Sequence, residues 1–266
     1  MLTRLAAVAA AAALVGGGFN GNAAWRLLVM QVRLGPRPAG SATEARLARR
    51  LRALLPHGRF EPVPGGLRNV VGVVPGRDPR RYVVVGAHFD TKQLPGFVGA
   101  DDGASGVAVV TELARELRPR ELRPTVYFVL FDGEEAPPGS SSFLAGGDRG
   151  SRVAAKAFRH AQAMILLDMI GDRNLSIPRE ASSDMQLWAR LRAAARAVGT
   201  GRYFPPVTVP VIFDDTTPFE REHVPSIDLI DFTYPCWHRR CDDLAHVSEA
   251  SLEVVGRTVL ELLRTL

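Results

Sequence analysis

Two stretches decide the fold: residues 82–90, with the sequence YVVVGAHFD, and residues 125–135, with the sequence TVYFVLFDGEE. Each is an apolar run that ends in acidic or imidazole side chains. Apolar runs without polar alternation are typical of strands buried on both faces, as in a parallel sheet covered by helices. Residues 103–117, between them, have helical periodicity. This alternation predicts an α/β fold, a three-layer α/β/α sandwich around a mostly parallel central sheet.

The remaining elements follow from the same kind of pattern. Ser41 or Thr43 is predicted to cap a long amphipathic helix after the Pro- and Gly-rich loop of residues 35–41. Further strands are predicted over residues 69–74, 164–167, 207–213 and 226–230, and further helices over residues 24–32 and 251–263.

The N-terminus has the pattern of a targeting segment. Arg4 precedes an apolar run from Leu5 to Val15, and small residues follow as far as Ala24, where the chain offers a cleavage site. The run is shorter than the ~20 residues that a membrane span needs. We therefore interpret residues 1–24 as a signal peptide, or alternatively an uncleaved N-terminal anchor, and residues 25–266 as one catalytic domain. The expected location is secreted or periplasmic, or membrane-anchored through the N-terminus.

Charge and cysteine content bound the function. The formal charge is +5, and nearly all cations are Arg at helical spacing, without aromatic or Gly-rich binding motifs. This favours solvated helix faces over a nucleic-acid surface. Cys236 and Cys241 are permitted to form a disulfide in an exported protein, but free thiols are equally compatible. Cys236 also lies two residues from His238, so a metal-ligand role stays open.

Acidic and imidazole side chains gather where the predicted strands end. Because ligands bind outside the carboxyl ends of strands in open α/β sheets, we expect a single site at that edge. Nitrogen and oxygen donors of this kind suit zinc, and the carboxylates suffice for a second metal or for binding substrate. The donors are His88, Asp102, Glu135, Asp168 and His238.

Each of these residues also has an ordinary structural explanation. His88 could be a core histidine, Asp102 could cap the following helix, and a Glu-Glu pair is usually a solvated turn. Here Glu134 and Glu135 follow a buried strand and accompany the other donor clusters. One glutamate of such a pair can bind the metal while its neighbour moves protons. The combination therefore favours a metal-dependent enzyme.

These motifs carry a family resemblance. HFD at residues 88–90, GADDGASG at 99–106, DGEE at 132–135 and LDMIG at 167–171 resemble the M28 zinc aminopeptidases. A second set is similar to the glutaminyl cyclases of that group, and this likeness covers nearly the whole chain after the leader. It comprises GFVGA at 96–100, GSR at 150–152, FDD at 213–215, VP at 224–225, and WH at 237–238 with DD at 242–243.

The resemblance implies a zinc-dependent glutaminyl-peptide cyclotransferase with a zinc-aminopeptidase-like fold. One zinc would be held by Asp102, Glu135 and His238. Glu134 would be the general acid/base, and Asp168 would receive the substrate's amino group. The implied substrates are peptides or proteins with N-terminal Gln, with no nucleic acid and no stable partner. Asp214 would join an acidic hydrogen-bond network, and Trp237 would form a pocket wall.

This sequence also departs from the cyclases. Asp228 stands where they carry a His, and Ala136 to Gly139 replace a segment that holds a pocket Trp in the animal enzymes. The alternative is a two-zinc M28 aminopeptidase in which His88 and Asp168 bind a second zinc and Asp102 bridges the two. A third interpretation is a non-catalytic binding domain on the same fold, which the intact donor set disfavours.

Overall fold

The computed structural model describes residues 18–266, so Arg4 and the apolar run of the predicted leader lie outside the described residues. The described chain alternates between strands and helices, as expected. Its α-helices are α1 (Gly21–Val32), α2 (Ala42–Leu54), α3 (Ala104–Glu116), α4 (Phe143–Gly146), α5 (Arg149–Ala157), α6 (Met185–Ala197), α7 (Thr216–Arg221) and α8 (Glu249–Thr265). None of the helices in this part of the chain has the length and apolar composition needed to cross a bilayer.

The central sheet has six strands in the order β1-β2-β4-β3-β5-β8. Strands β4, β3, β5 and β8 are mutually parallel, and β2 runs antiparallel to both of its neighbours. Two further strands, β6 and β7, form a separate two-stranded sheet. The strand bounds are β1 (Arg59–Val63), β2 (Leu67–Val74), β3 (Asp78–His88), β4 (Pro124–Phe131), β5 (Met164–Asp168), β6 (Arg179–Glu180), β7 (Thr208–Val209) and β8 (Ser226–Ile230).

Two apolar cores lie on opposite faces of the sheet and confirm the three-layer sandwich. Successive residues of a strand point to opposite faces, so Val83 and Val85 of β3 belong to one core while Val84 belongs to the other. The larger core packs α1, α2, α3, α6 and α8 against the sheet, and the smaller one packs α5 and α7. Because helices cover both faces of the sheet, a ligand can reach the sheet only at the edge where the loops lie.

The first helix begins at Gly21, three residues before the predicted start. Asn20 caps it by accepting a hydrogen bond from the Ala23 N–H at 2.9 Å, and the Gly21 N–H donates to Glu253 Oε2 of α8 at 2.7 Å. Phe19 is buried against Gly256 of α8. The segment from Phe19 to Ala24, which the sequence placed with the leader, is thus packed against α8.

The predicted strand over residues 207–213 is wrong for most of its length. Only Thr208–Val209 forms a strand, and the backbone beyond it is irregular. Pro210 follows directly and has no N–H to continue a strand ladder. The apolar side chains of Val211 and Phe213 are instead about half exposed, at 49% and 54%.

Candidate metal centre

The candidate site lies where the loops after β3, β4 and β8 meet the end of β5. Two of these loops leave neighbouring parallel strands and therefore open onto the same edge. Asp102 comes from the loop after β3, Glu134 and Glu135 from the loop after β4, and Asp168 is the last residue of β5. His238 comes from the long turn segment after β8. These side chains therefore gather at the carboxyl edge of the sheet, where the sequence predicted that they would meet.

The three predicted ligands are adjacent. His238 Nε2 lies 3.1 Å from Glu135 Oε1 and 3.4 Å from Asp102 Oδ2. One donor atom from each residue fits within 4.8 Å of the others, as a single bound ion requires. Asp102 Oδ2 is buried and accepts no hydrogen bond, and a bound cation would offset the cost of its burial. Two carboxylates and one imidazole therefore fit a zinc site with an open coordination position.

A second group of donors shares Asp102. His88 Nε2 lies 3.2 Å from both Asp102 Oδ1 and Asp168 Oδ1, and these three residues also bring their donor atoms within 4.8 Å. Although burial lowers the pKa of His88, the charges of Glu134 and Asp168 and the contacts with Asp102 and Asp168 raise it well above its usual value. The geometry can hold one ion, or two with Asp102 between them.

Asp90 positions the loop that carries the two glutamates. Its Oδ1 accepts hydrogen bonds from the N–H groups of Gly133 at 3.0 Å and Glu134 at 3.1 Å, and its Oδ2 accepts one from Glu135 at 3.2 Å. Gly133 has φ +75°, a conformation that favours glycine. The loop is thereby fixed with Glu134 Oε2 3.8 Å from His88 Nδ1. Burial, followed by the charge of Glu135, raises the pKa of Glu134 well above its usual value.

Asp242 plays the corresponding role for Asp102. Its two carboxylate oxygens accept hydrogen bonds from the N–H groups of Asp101 at 2.7 Å and Asp102 at 3.1 Å. The hydroxyl of Tyr234 also donates to Asp242, at 2.9 Å. Asp102 is thus fixed by a residue of the segment that carries His238. It does not cap α3, since the N-cap of that helix is Gly103 and makes no side-chain cap bond.

Lys92 is a site residue that the sequence reasoning missed. Its Nζ donates to Glu135 Oε2 at 2.7 Å, so Glu135 faces His238 with one oxygen and Lys92 with the other. Although burial raises the pKa of Glu135, its contacts with His238 and Lys92 lower it below the usual value. Glu135 is therefore ionised, as a metal ligand must be. The available signal was that Lys92 is one of only two lysines and lies two residues after Asp90.

A cavity of about 420 Å³ brings the predicted site residues together. Its polar lining contains Asp102, Glu134, Glu135, Asp168, Asp214 and His238. Its apolar lining contains Phe143, Val211, Ile212, Phe213, Ile230, Phe232 and Trp237. Trp237 is 42% exposed and its ring stacks on that of His238 with centroids 4.4 Å apart. Carboxylates thus line the inner part of a cavity whose rim is apolar.

Cys236 and Cys241 form a disulfide. Their pairing decides among the alternatives that the sequence left open, because a disulfide sulfur is not a thiolate ligand. His238, and not Cys236, is the donor that this segment brings to the site.

Comparison with known proteins identifies the family. The profile of Peptidase family M28 matches residues 69–263, about three quarters of the chain. The chain belongs to peptidase family M28. Among curated relatives of this M28 protein, glutaminyl-peptide cyclotransferase of Drosophila melanogaster is 28% identical over 233 residues, which cover 72% of this chain. The match spans 63% of the fly protein's own length, less than two thirds.

The solved structures with a similar fold include proteins of both enzyme classes that the sequence suggested, glutaminyl cyclases and aminopeptidases. Glutaminyl cyclase of Tannerella forsythia has a TM-score of 0.84 and 25% identity, covering 94% of this chain and 100% of that one. A leucine aminopeptidase precursor of Bacteroides thetaiotaomicron has a TM-score of 0.83 and 25% identity, covering 94% and 99%. The M28 chain therefore has the fold of an enzyme family that contains cyclases and zinc aminopeptidases.

Asp228, the departure from the cyclase pattern, lies on β8 of this M28 protein. It is fully buried, and neither of its carboxylate oxygens has a hydrogen-bond partner. Burial, followed by the charges of Asp168 and Glu180, raises its pKa well above the usual value. The pKa of Asp214 is raised in the same way, by burial and then by Asp228 and Asp168. Asp214 and Asp228 thus belong to a buried acidic cluster, of which Asp214 also lines the cavity.

Proposed function

We propose that the protein is a zinc-dependent glutaminyl-peptide cyclotransferase, which converts N-terminal glutaminyl residues of peptides to pyroglutamate with release of ammonia. One observation carries the proposal: Asp168 and Asp214 line the same cavity as Glu134. A substrate amine bound by Asp168 would lie in the same cavity as Glu134, the group that must take its proton. The likeness to glutaminyl cyclases along 94% of the chain supports this choice.

The reaction forms a bond between the α-amino nitrogen and the δ-carbon of the same glutamine, which is its side-chain amide carbon, and it breaks the bond from that carbon to the amide nitrogen. Asp168 holds the α-amine, Asp214 belongs to the acidic hydrogen-bond network beside it, and Glu134 takes the proton of the amine and returns one to the leaving ammonia. Trp237 and the apolar wall fold the side chain back toward its own amine, which supplies orientation. Zinc bound by Asp102, Glu135 and His238 would supply a Lewis acid for the oxygen of the side-chain amide.

A two-zinc aminopeptidase is the second candidate. The observation that favours it is the shared position of Asp102, with His88 and Asp168 completing a second set of donors. Asp168 would then bind a metal and leave the substrate amine to other groups. Glu134 would move protons for an attacking water, and the same cavity would receive an N-terminal residue of any type.

The deciding experiment compares two substrates on the full-length protein. We expect ammonia release from Gln-Phe and no free leucine from Leu-Phe, with about one zinc per chain by elemental analysis. In His88→Ala we expect most of the catalytic zinc and much of the cyclase activity to remain, provided that the variant folds. Free leucine from the wild type, lost together with one of two zincs in His88→Ala, would establish the aminopeptidase instead.

We also propose export of the protein and substrates that are exported peptides or proteins. The support is the basic and apolar pattern of the N-terminus. Fractionation of cells that express the full chain, followed by N-terminal sequencing of the product, tests the location and the cleavage point together.

A further inference from the structure

The ligand His238 lies in a segment with little regular structure. From residue 231 to residue 248, here called the ligand loop, the chain forms turns, and its one strand-like contact is an isolated bridge between Asp172 and Val247. A helix or strand would hold a side chain through its ladder of backbone hydrogen bonds. The backbone bonds within the ligand loop are scattered turn bonds, among them Arg239 N–H to the Cys236 carbonyl at 2.9 Å, and Asp242 joins the loop to Asp101 and Asp102. The ladder of a helix or strand therefore does not place His238.

The backbone of His238 is itself in an unfavourable conformation. Its φ is +52°, in the left-handed region that residues with a Cβ avoid. Such conformations persist where the surrounding structure imposes them, and they cluster at functional sites. The Cys236–Cys241 disulfide encloses His238 in a small ring and holds the two Cα atoms 5.3 Å apart. The ring leaves the backbone between the cysteines few other paths.

The disulfide is also anchored beneath the site. Cys236 is buried in a small apolar cluster with Met169, Ile230 and Tyr234, and Cys241 packs against it. Met169 directly follows Asp168 at the end of β5, and Ile230 ends β8. Asp242, which accepts from the N–H groups of Asp101 and Asp102, is the residue next to Cys241. The disulfide therefore constrains both the segment that carries the donor His238 and the neighbouring Asp242, which fixes Asp102.

We propose that the Cys236–Cys241 disulfide positions the metal ligand His238, so that the affinity of the protein for zinc depends on this bond. The cysteines act through His238 and Asp242 and touch neither substrate nor metal. The inference rests on the ligand set Asp102, Glu135 and His238 and holds for either of the two reactions. It extends the proposed function by making metal retention depend on the oxidation state of the ligand loop.

The test is the double replacement Cys236→Ser with Cys241→Ser, which removes the bond and leaves no thiol to bind zinc. Zinc affinity is measured by competition with a chromophoric chelator. We expect the dissociation constant to rise about 10- to 100-fold, the range found when groups that orient metal ligands are removed. At saturating zinc the turnover number should return to near the wild-type value, because all three ligands remain.

A matched control separates positioning from general destabilisation. Phe204→Leu disturbs the core at the ring contact with Trp188, under α6 and away from the ligand loop. It should lower the melting temperature of the protein and leave the zinc dissociation constant unchanged. A double Ser variant that binds zinc within about twofold of wild type would overturn the proposal, whichever substrate the enzyme turns over.

Reduction of the folded wild type gives a second route if the Ser variant does not fold. A phosphine reductant takes up oxygen from water to become the phosphine oxide, and the disulfide gains two electrons and two protons to become two thiols. After removal of the reductant, part of the sample is alkylated with iodoacetamide so that the two thiols cannot bind zinc, and its zinc affinity should fall. The remainder is reoxidised and should recover the wild-type affinity. Unchanged affinity in the reduced and alkylated protein would also overturn the proposal.

Discussion

Glu134 is the residue on which the proposed chemistry depends most directly. Asp90 holds its backbone, and its side chain reaches the cavity beside the donor Glu135. We expect Glu134→Gln to lower turnover of Gln-Phe at least about 100-fold, since a positioned proton carrier contributes that much or more. Zinc content should stay at the wild-type level, because Glu135 and the loop are unchanged. Rate measurements together with elemental analysis check this, and a nearly normal rate would refute the assignment.

Glu44 on α2 makes a prediction about stability. It is 2% exposed and Oε1 has no hydrogen-bond partner. Burial, followed by the charges of Asp132 and Asp90, raises its pKa to about 8 from the usual 4.5. The folded protein thus keeps a proton that the unfolded chain releases, so the stability contributed by the protonated group is lost as the pH rises from the unfolded pKa through the folded one.

Glu44→Gln should remove this dependence. We compare the free energy of unfolding of Glu44→Gln with that of wild type at two pH values. The difference should favour the variant by a few kcal/mol more at about pH 8.5 than at about pH 5, at ~1.4 kcal/mol per pKa unit. Urea unfolding of both proteins at the two pH values measures the gain. Glu222→Gln is the control, because Glu222 is only half-buried, and it should show no such gain. An equal effect of Glu44→Gln at both pH values would contradict the prediction.

The motifs predicted which side chains lie close together but not which of them bind backbone N–H groups. Of the side chains chosen from motifs, His88 is absent from the cavity lining, and seven line it: Asp102, Glu134, Glu135, Asp168, Asp214, Trp237 and His238. The roles of Asp90 and Asp242 were missed because each depends on which N–H groups a folded loop turns toward it. Lys92 was missed because its partner Glu135 lies on the next strand loop, 43 residues away.

At the scale of elements, the irregular stretch after β7 forms part of the rim of the cavity. Phe213 is 54% exposed there, and Phe232 and Trp237 pack against each other on another part of the lining. We expect Phe213→Ala to raise the KM for Gln-Phe about fivefold and to change the KM for Gln-Gly little. About 40 Å² of apolar contact at ~25 cal/mol per Å² is worth ~1 kcal/mol.

Steady-state kinetics with the two dipeptides measures this preference. Met185→Ala is the matched control, since Met185 is a large apolar side chain that is 72% exposed on α6 and does not line the cavity. It should leave both KM values unchanged. Equal increases for Gln-Phe and Gln-Gly in Phe213→Ala would show that the rim does not contact the second residue of the substrate.

The same stretch shows why some elements could not be predicted. Buried strands such as β3 and β4 were predicted correctly because a short apolar run without polar alternation is typical of a strand buried on both faces. Alternating apolar residues over 207–213 suit both a half-buried strand and an exposed rim, and only the packed structure decides between them. Strand β1 was missed because it is short, carries Pro62 and is only partly buried at the sheet edge.

At the scale of the whole molecule, the N-terminal helix belongs to the core. Gly256 of α8 leaves room for the Phe19 ring, since a Cβ there would lie 2.4 Å from ring atoms. We expect Phe19→Ala to lower the free energy of unfolding by about 3 kcal/mol, as for other buried Phe side chains. A chain that begins at Trp25 should lose more, because it also lacks the Asn20 cap and the Gly21–Glu253 hydrogen bond.

Urea unfolding of both proteins, with a chain that begins at Gly18 as reference, measures these losses. Gly256→Ala should be destabilising in the reference chain and much less so in combination with Phe19→Ala. If the chain that begins at Trp25 were as stable as the reference, residues 19–24 could belong to a cleaved leader as the sequence suggested.

The sheet order implies when a metal can bind during folding. The ligands come from loops far apart in the chain, with Glu135 and His238 separated by 103 residues, and they meet only after parallel strands have paired. Pairing of this kind closes long loops and is slow, so the ion arrives after the rate-limiting step. Zinc should therefore leave the refolding rate after dilution from urea unchanged and slow the unfolding rate, as expected for contacts formed late. Stopped-flow fluorescence with and without zinc would detect an accelerated refolding phase if the metal instead organised the nucleus.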